Sequence, residues 1–198
     1  MTGSFRSPTR LPALGLVALS FLAGGCAFSV QVPPTQPPAI TQQLLARSLE
    51  RALAQLDVKR FAGQQVDAEV FTQSGNQAFV KQLVVAWLGE QGIRVAPGDV
   101  ALTLRVFAPV FGTDQGQSLI GIPAFQAPLV GVVVPEIALF KWVRNRGQAE
   151  VQVYSFDGKT NAFIDKSPVR TGRAKFDDFT VLLIINFSVT DVDKPPRQ

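Results

Sequence analysis

Residues 111–141 (FGTDQGQSLIGIPAFQAPLVGVVVPEIALFK) constrain this chain more than any other stretch. From 115 to 135, 21 residues, no side chain carries a charge. That length matches a membrane helix. Yet Gly116, Gly121, Pro123, Pro128, Gly131 and Pro135 interrupt the run, and helix breakers at that density rule out regular helical hydrogen bonding. A plain buried loop is also awkward, because its amides need partners. What remains is an extended segment packed against another copy, another protein or lipid, as large uncharged patches usually are. Leu119, Ile120, Ile122, Phe125, Leu129 and Val132 are the residues expected to make that contact.

Composition narrows the chemistry. The chain has 198 residues, 46% hydrophobic and 17% charged, enough for one ordinary globular domain. It has no histidine and a single cysteine, Cys26. A Ser-His-Asp or Cys-His nucleophile, an ordinary zinc site and an intramolecular disulfide are therefore excluded. Ser118 lies in a glycine-flanked run, but its spacing is wrong for a nucleophile elbow and nothing could activate it. Asp177 with Asp178, and Asp191 with Asp193, read as solvated turn carboxylates rather than a calcium loop. A glycosidase-like carboxylate pair needs only to meet in space, and no pair is nominated. No catalytic residue, metal or cofactor is expected, and the protein is read as a non-enzyme. Setting aside Arg6 and Arg10, 17 basic residues face 15 acidic ones, too weak a bias for a nucleic-acid partner. Lys141, Arg144 and Arg146, and separately Arg170, Arg173 and Lys175, form basic clusters. Each reads as a solvated face or a contact for anionic headgroups or an acidic partner.

At the N-terminus, Arg6 and Arg10 flank an apolar stretch (11–23, LPALGLVALSFLA) of signal-peptide length. It ends in Ala23, Gly24, Gly25 and Cys26. This resembles the lipobox of bacterial lipoproteins, in which the signal is cut before a cysteine that then carries lipid. Ala23 stands where the usual pattern has leucine, with Leu22 one position earlier. The plain alternative is an ordinary signal peptide with a chance cysteine. The resemblance implies a signal at 1–25 and a Cys26 bearing acyl chains such as palmitate. With Ala27 rather than aspartate next, it also implies sorting to the outer membrane, facing the periplasm. Several chains on one cysteine anchor a protein that one chain would hold only marginally. Residues 26–39 then form a tether, whose 31–38 portion (QVPPTQPP) favours extended polyproline II.

The folded domain is expected at 40–192, with a short tail at 193–198. Thr41 can cap a helix reaching Leu56, with Leu45, Leu49, Ala52 and Leu53 on one stripe. Val66, Ala68 and Val70 alternate as a half-wet strand. Phe79, Val80, Leu83, Val84, Trp87 and Leu88 mark a second amphipathic helix. A strand follows over 100–107, ended or edged by Pro109, and Gly112, Thr113 and Asp114 read as a turn. After the central stretch come a strand at 149–156, an Asp157-Gly158 turn, a partner strand at 160–164 and a last strand over 175–190. The centre of that last strand, 180–187 (TVLLIINF), is apolar on both faces. It reads as buried on both sides, or as a membrane-dipping strand. The fold class is α+β: two helices on a mainly antiparallel sheet.

The runs GTDQGQSLIGIPA (112–124) and PEIALFK (135–141) resemble those of a family of uncharacterised bacterial lipoproteins, described only as a domain of unknown function. The resemblance spans roughly 40–191 and implies no activity. More loosely, a small α/β domain on a lipid tether resembles accessory lipoproteins of envelope assembly, such as the curli secretion channel subunit and the lipopolysaccharide-insertion lipoprotein. The expected partners are the bilayer through Cys26, and a protein partner or a second copy through the apolar segment. The leading expectation is an envelope scaffold or assembly module, and the alternative is a pore-forming or membrane-inserting homo-oligomer of a secretion channel. Replacing Cys26 with alanine is expected to shift the chain from the membrane pellet to the soluble fraction on cell fractionation; a variant that sediments like wild type would refute the anchor.

Overall fold

The computed structural model describes residues 28–30, 38–73, 75–98, 100–126 and 133–193. Along them run β1 (Phe28–Val30), α1 (Pro38–Leu53), a 3-10 turn (Lys59–Phe61), β2 (Gln65–Thr72), α2 (Gln77–Glu90) and β3 (Arg94–Val95). Then come β4 (Leu102–Ile122), β5 (Phe125–Gln126), β6 (Val133–Val134), β7 (Ile137–Asp157), β8 (Phe163–Lys166), β9 (Arg170–Val181) and β10 (Ile185–Thr190). Among the described residues the main sheet has the order β10-β9-β7-β4-β2-β3, with β1 added to β4 and β8 to β7, while β5 and β6 pair separately. Only β2 with β3 and β2 with β4 are parallel. Two helices on a mainly antiparallel sheet make this the α+β class that the sequence pattern implies.

The helices cover one face of one end of the sheet. Val66, Ala68 and Val70 of β2, Leu104 and Val106 of β4, and Ala149, Val151 and Val153 of β7 alternate into a core. Leu49, Ala52 and Leu53 of α1 and Val80, Val84 and Leu88 of α2 close it from above, with Trp87 packed at its margin. A second cluster joins Leu44 of α1 to Ala174 and Val192, with Ile40 and Phe176 against them. We call this covered side the helix face, and the opposite side the open face. α1 sits so close to the sheet that side chains are excluded beneath it. A Cβ on Gly172 would collide with the Ser48 carbonyl oxygen, and one on Gly147 with that of Leu44.

Several elements differ from the sequence reading. α1 starts at Pro38, not Thr41. Proline suits the first helical turn, where its missing N–H costs nothing. The helix ends at Leu53, though Leu56 is still buried in the core. β4 does not end at Pro109 but runs 21 residues to Ile122. Its register shifts between Phe107 and Val110, so the proline falls in an irregularity that spares a ladder hydrogen bond. Gly112, Thr113 and Asp114 are therefore strand, not turn. β7 likewise extends over 21 residues. The parts of the central stretch at 111–122 and 137–141 are thus the distal half of a long β4–β7 ribbon, with β5 and β6 pairing between them. The expected last strand is two strands, β9 and β10, hinged at 182–184. Within the expected tether, Phe28–Val30 form a strand paired with 117–119, and Pro38 opens the helix. The signal region 1–25 lies outside the described residues.

Replacing Gly172 with alanine is expected to cost about 1–3 kcal/mol, because α1 must lift from the sheet to admit a methyl. Gly75→Ala, where a Cβ would meet nothing within 4 Å, is the control and should be near neutral. Urea denaturation of both variants against wild type reads the difference.

Candidate functional site: the apolar end of the sheet

Pairing fixes which residues share a level at the distal end. Phe28 lies opposite Leu119, Leu119 opposite Lys141, Lys141 opposite Thr180 and Thr180 opposite Asn186. One step further out, Ile120 meets Phe140, Phe140 meets Val181 and Val181 meets Ile185. Beyond that, the 182–184 turn docks on β7: the Leu182 amide donates to the Leu139 carbonyl at 2.8 Å, and that of Leu183 to Ala138 at 3.1 Å.

Strand alternation makes this end amphipathic. On the open face Trp142 stacks on Phe179 with ring centroids 5.7 Å apart, and Phe179 stacks on Phe187 at 5.0 Å. Phe140 sits 6.4 Å from Phe179. Ile120, Ile185 and Val189 continue this face and are exposed. On the helix face the same strands turn polar. Thr180 Oγ1 donates to Asn186 Oδ1 at 2.7 Å, and Ser188 Oγ to Asp178 Oδ1 at 2.6 Å. Glu136 accepts from Lys141 Nζ at 2.7 Å and from Gln117 Nε2 at 3.3 Å.

The tip is apolar on every side. Leu182, Leu183, Ile184 and Ile185 are 62%, 53%, 81% and 52% exposed. Burying one such side chain fully yields about 1.5–3 kcal/mol, so these four leave roughly 4–7 kcal/mol unrealised in water. Ile122, Phe125, Ile137 and Leu139 add to the patch. The turn itself is unusual. Leu182 and Leu183 have φ of 50° and 70°. Tight hairpins with two positive φ values normally use Asn-Gly, because leucine there carries about 1–2 kcal/mol of strain per residue.

Charges mark where the apolar zone stops. Arg144 places its guanidinium carbon 4.8 Å from the Trp142 ring centre. Arg146 forms a two-pronged pair with Asp177, at 2.6 and 3.1 Å. The Asp177 side chain is only 8% exposed.

Of the contact residues read from sequence, Ile120, Ile122 and Phe125 lie exposed at this end. Leu119 differs: it is buried, pointing to the helix face of β4. Leu129, Val132 and Cys26 lie outside the described residues. The run at 180–187 reads from sequence as one strand, buried on both sides or dipping into a membrane; the structure instead turns it at 182–184 and leaves 182–185 exposed, a turn that its apolar residues do not signal. Ser118 lies inside β4 opposite Trp142. The two basic clusters do not merge into one patch, as Lys141 and Arg146 are each spent on a carboxylate.

Other places offer less. A cleft of about 620 Å³ between α1 and α2 carries Glu50 and Glu90, and Glu50 is paired with Arg47 at 2.7 Å. Asp157 titrates below the usual carboxylate range because the Thr160 amide and hydroxyl, and the Lys159 amide, bond to it. Asp165 is lowered chiefly by the Arg60 guanidinium. Both belong to turn and ion-pair architecture. Among the described residues no three metal-ligating side chains converge, and no helix is long and apolar enough to cross a membrane. The latter says nothing of strands. No protein-family model matches the chain, and no curated protein matches its sequence.

Replacing Arg146 with leucine leaves the Asp177 carboxylate buried without its partner. Stability is expected to fall by roughly 1–3 kcal/mol in urea. Adding Asp177→Asn should recover part of the loss, whereas a surface pair worth nothing would leave both variants at wild-type stability.

Proposed function

We propose that the protein is a lipid-anchored, non-enzymatic envelope module that works through the apolar end of its sheet as a scaffold or assembly factor, held at the outer membrane through Cys26. The observation that carries this reading is the exposed tip at 182–185 with its neighbours Ile120 and Ile122. Apolar surface of that extent, with no charge between Thr180 and Thr190, marks a contact rather than a solvated loop. The absence of histidine and of a free thiol in the mature domain supports a role without covalent chemistry.

A second reading is a membrane-inserted homo-oligomer. Three adjacent strands, β7, β9 and β10, carry an apolar-out, polar-in alternation like that of a barrel wall toward the tip, β4 joins them only at Ile120, and β10 ends the sheet order as an edge. Strand length tells against a full span. A barrel strand needs about 9–11 residues in the bilayer, and β10 has 6 in all.

Placing a charge on this surface separates contact from core. Ile120 is 53% exposed, so Ile120→Asp should leave the unfolding midpoint near wild type, within about 0.5 kcal/mol. Association recovered from detergent-solubilised envelopes, or self-association by light scattering, is expected to drop. Retention of every wild-type association would remove this surface from the function.

A further inference from the structure

The geometry points to a second membrane contact: the apolar tip of the sheet inserts into the same leaflet that holds the Cys26 lipid. This rests on the lipoprotein reading above and names what the apolar end touches.

Three observations carry it. The first is where the chain to Cys26 leaves the sheet. β1 is antiparallel to β4, with Phe28 opposite Leu119 and Val30 opposite Gln117. The level of Phe28 is thus the Leu119 end of the pairing, next to Gly121 and to the 182–184 turn, which docks on Ala138 and Leu139. Two residues of chain reach at most about 7 Å, so a lipid on Cys26 is tethered within that distance of this end of the sheet. The anchor and the apolar tip share one end of the molecule. A bilayer that receives the one must meet the other.

The second observation is the chemistry of the tip. Leu182 and Leu183 hold left-handed backbone, in a turn that water would fill with asparagine and glycine. Ile184, at 81% exposure, is the most exposed large apolar side chain among the described residues. A protein partner would need a matching pocket for this knob, whereas acyl chains accept any apolar shape.

The third is the order of residues leading away from the tip. Aliphatics come first, then the Trp142–Phe179–Phe187 stack, then Arg144 over Trp142. Aromatics followed by a cation is the order found at a bilayer interface, where rings sit at headgroup level and arginine reaches phosphate. Phe179 pairs with Phe187, so the hairpin reaches at most four residues beyond that pair, about 13 Å at ~3.3 Å per residue. That is less than half of a hydrocarbon core of about 30 Å. The tip is therefore a dip into one leaflet, and the helix-bearing end points away from the membrane.

The test uses the full chain, purified from membranes with its N-terminal modification and reconstituted into vesicles of phosphatidylethanolamine and phosphatidylglycerol. Ile184→Trp puts an indole at the tip, in a position too exposed to disturb the fold. With lipids brominated on their acyl chains, the added emission should be blue-shifted and quenched. Introducing Leu183→Asp into the same chain should relieve the quench while the chain stays on the vesicles. An unquenched, water-like indole on vesicle-bound protein overturns the inference. So does release of trapped dye, which would make the tip part of a pore. So does quenching that disappears only when an envelope protein is added and crosslinks to the tip, which would make that protein the true occupant. The mass of the N-terminal peptide reads the anchor separately. An unmodified Cys26 with a quenched tip would refute the lipoprotein reading and keep the insertion, and a lipidated Cys26 with an unquenched tip would do the reverse.

Discussion

β4 and β7 pair from Leu102 opposite Asp157 to Ile122 opposite Ile137, and this ribbon joins two environments that make opposite demands on one alternation. At the helix-bearing end the helix face must be apolar, and Leu104, Val106, Ala149 and Val151 meet that demand. Toward the distal end the same face carries Gln115, Gln117, Lys141 and Asn145. Ile120, Phe140 and Trp142 now stand on the open face, while Leu119 and Val143 keep to the helix face. β7 passes from Val151 to Lys141 without a register shift, so there the change is written in composition, residue by residue; in β4 the shift between Phe107 and Val110 moves the helix face from even to odd positions. The crossing falls at Arg146 and Asp177, where an ion pair with a buried carboxylate occupies the open face just before the aromatic stack begins.

That inversion explains what was and was not legible in the sequence. Periodicity located both helices, because Leu49, Ala52 and Leu53, and Val80, Val84 and Leu88, pack on one core. It located β2 and the proximal half of β4 for the same reason. It failed where burial stops setting the pattern. Gly112 and Pro109 punctuate β4 as a loop would, yet β2 pairs with the strand up to Ala108 and β7 takes it up again from Val110, which carries the extended backbone through both residues. The uncharged run stands out as a candidate contact, and Ile120, Ile122 and Phe125 within it are exposed. The apolar run at 180–187 stands out too, as a strand buried on both sides or dipping into a membrane, but its turn does not: LLII reads as strand interior, since turn prediction relies on Gly, Asn and Pro. The spatial meeting of the two segments is a property of the β7–β9 pairing, which lies 31 to 41 residues apart in sequence for pairs such as Asn145 with Phe176 and Phe140 with Val181.

The glycines show how the helix end constrains the distal end. α1 rests on Gly147 and Gly172, which lie on adjacent strands under Leu44 and under Ser48 and Ala52. This close seat fixes β7 and β9 relative to the helix. Arg51 extends the clamp, bonding the Arg173 carbonyl at 2.6 Å and pairing with Asp191 at 3.1 Å. Asp191 in turn accepts from the Lys175 amide at 2.8 Å, just after β10 ends. The register of the β9–β10 hairpin is thus pinned at its base by polar contacts with α1. Among the described residues its apolar tip shows no such polar contacts, and it docks through the two amide bonds to β7.

A hairpin pinned at the base and apolar at the tip is costly in water alone. Leucines at positive φ add strain, and the exposed aliphatics add unrealised transfer free energy. Hairpins that face water usually lack both features and carry a charge or a glycine at the tip. Here neither is used over 180–190, while charged residues are dense at 165–178. The contrast is sharpest along one strand: β9 begins with Arg170, Arg173 and Lys175 and ends in Val181. A gradient from charge to hydrocarbon along a single strand direction is what the proposed insertion of the tip requires. Because β1 delivers the chain to the apolar side of that gradient, backbone pairing and side-chain chemistry orient the molecule the same way.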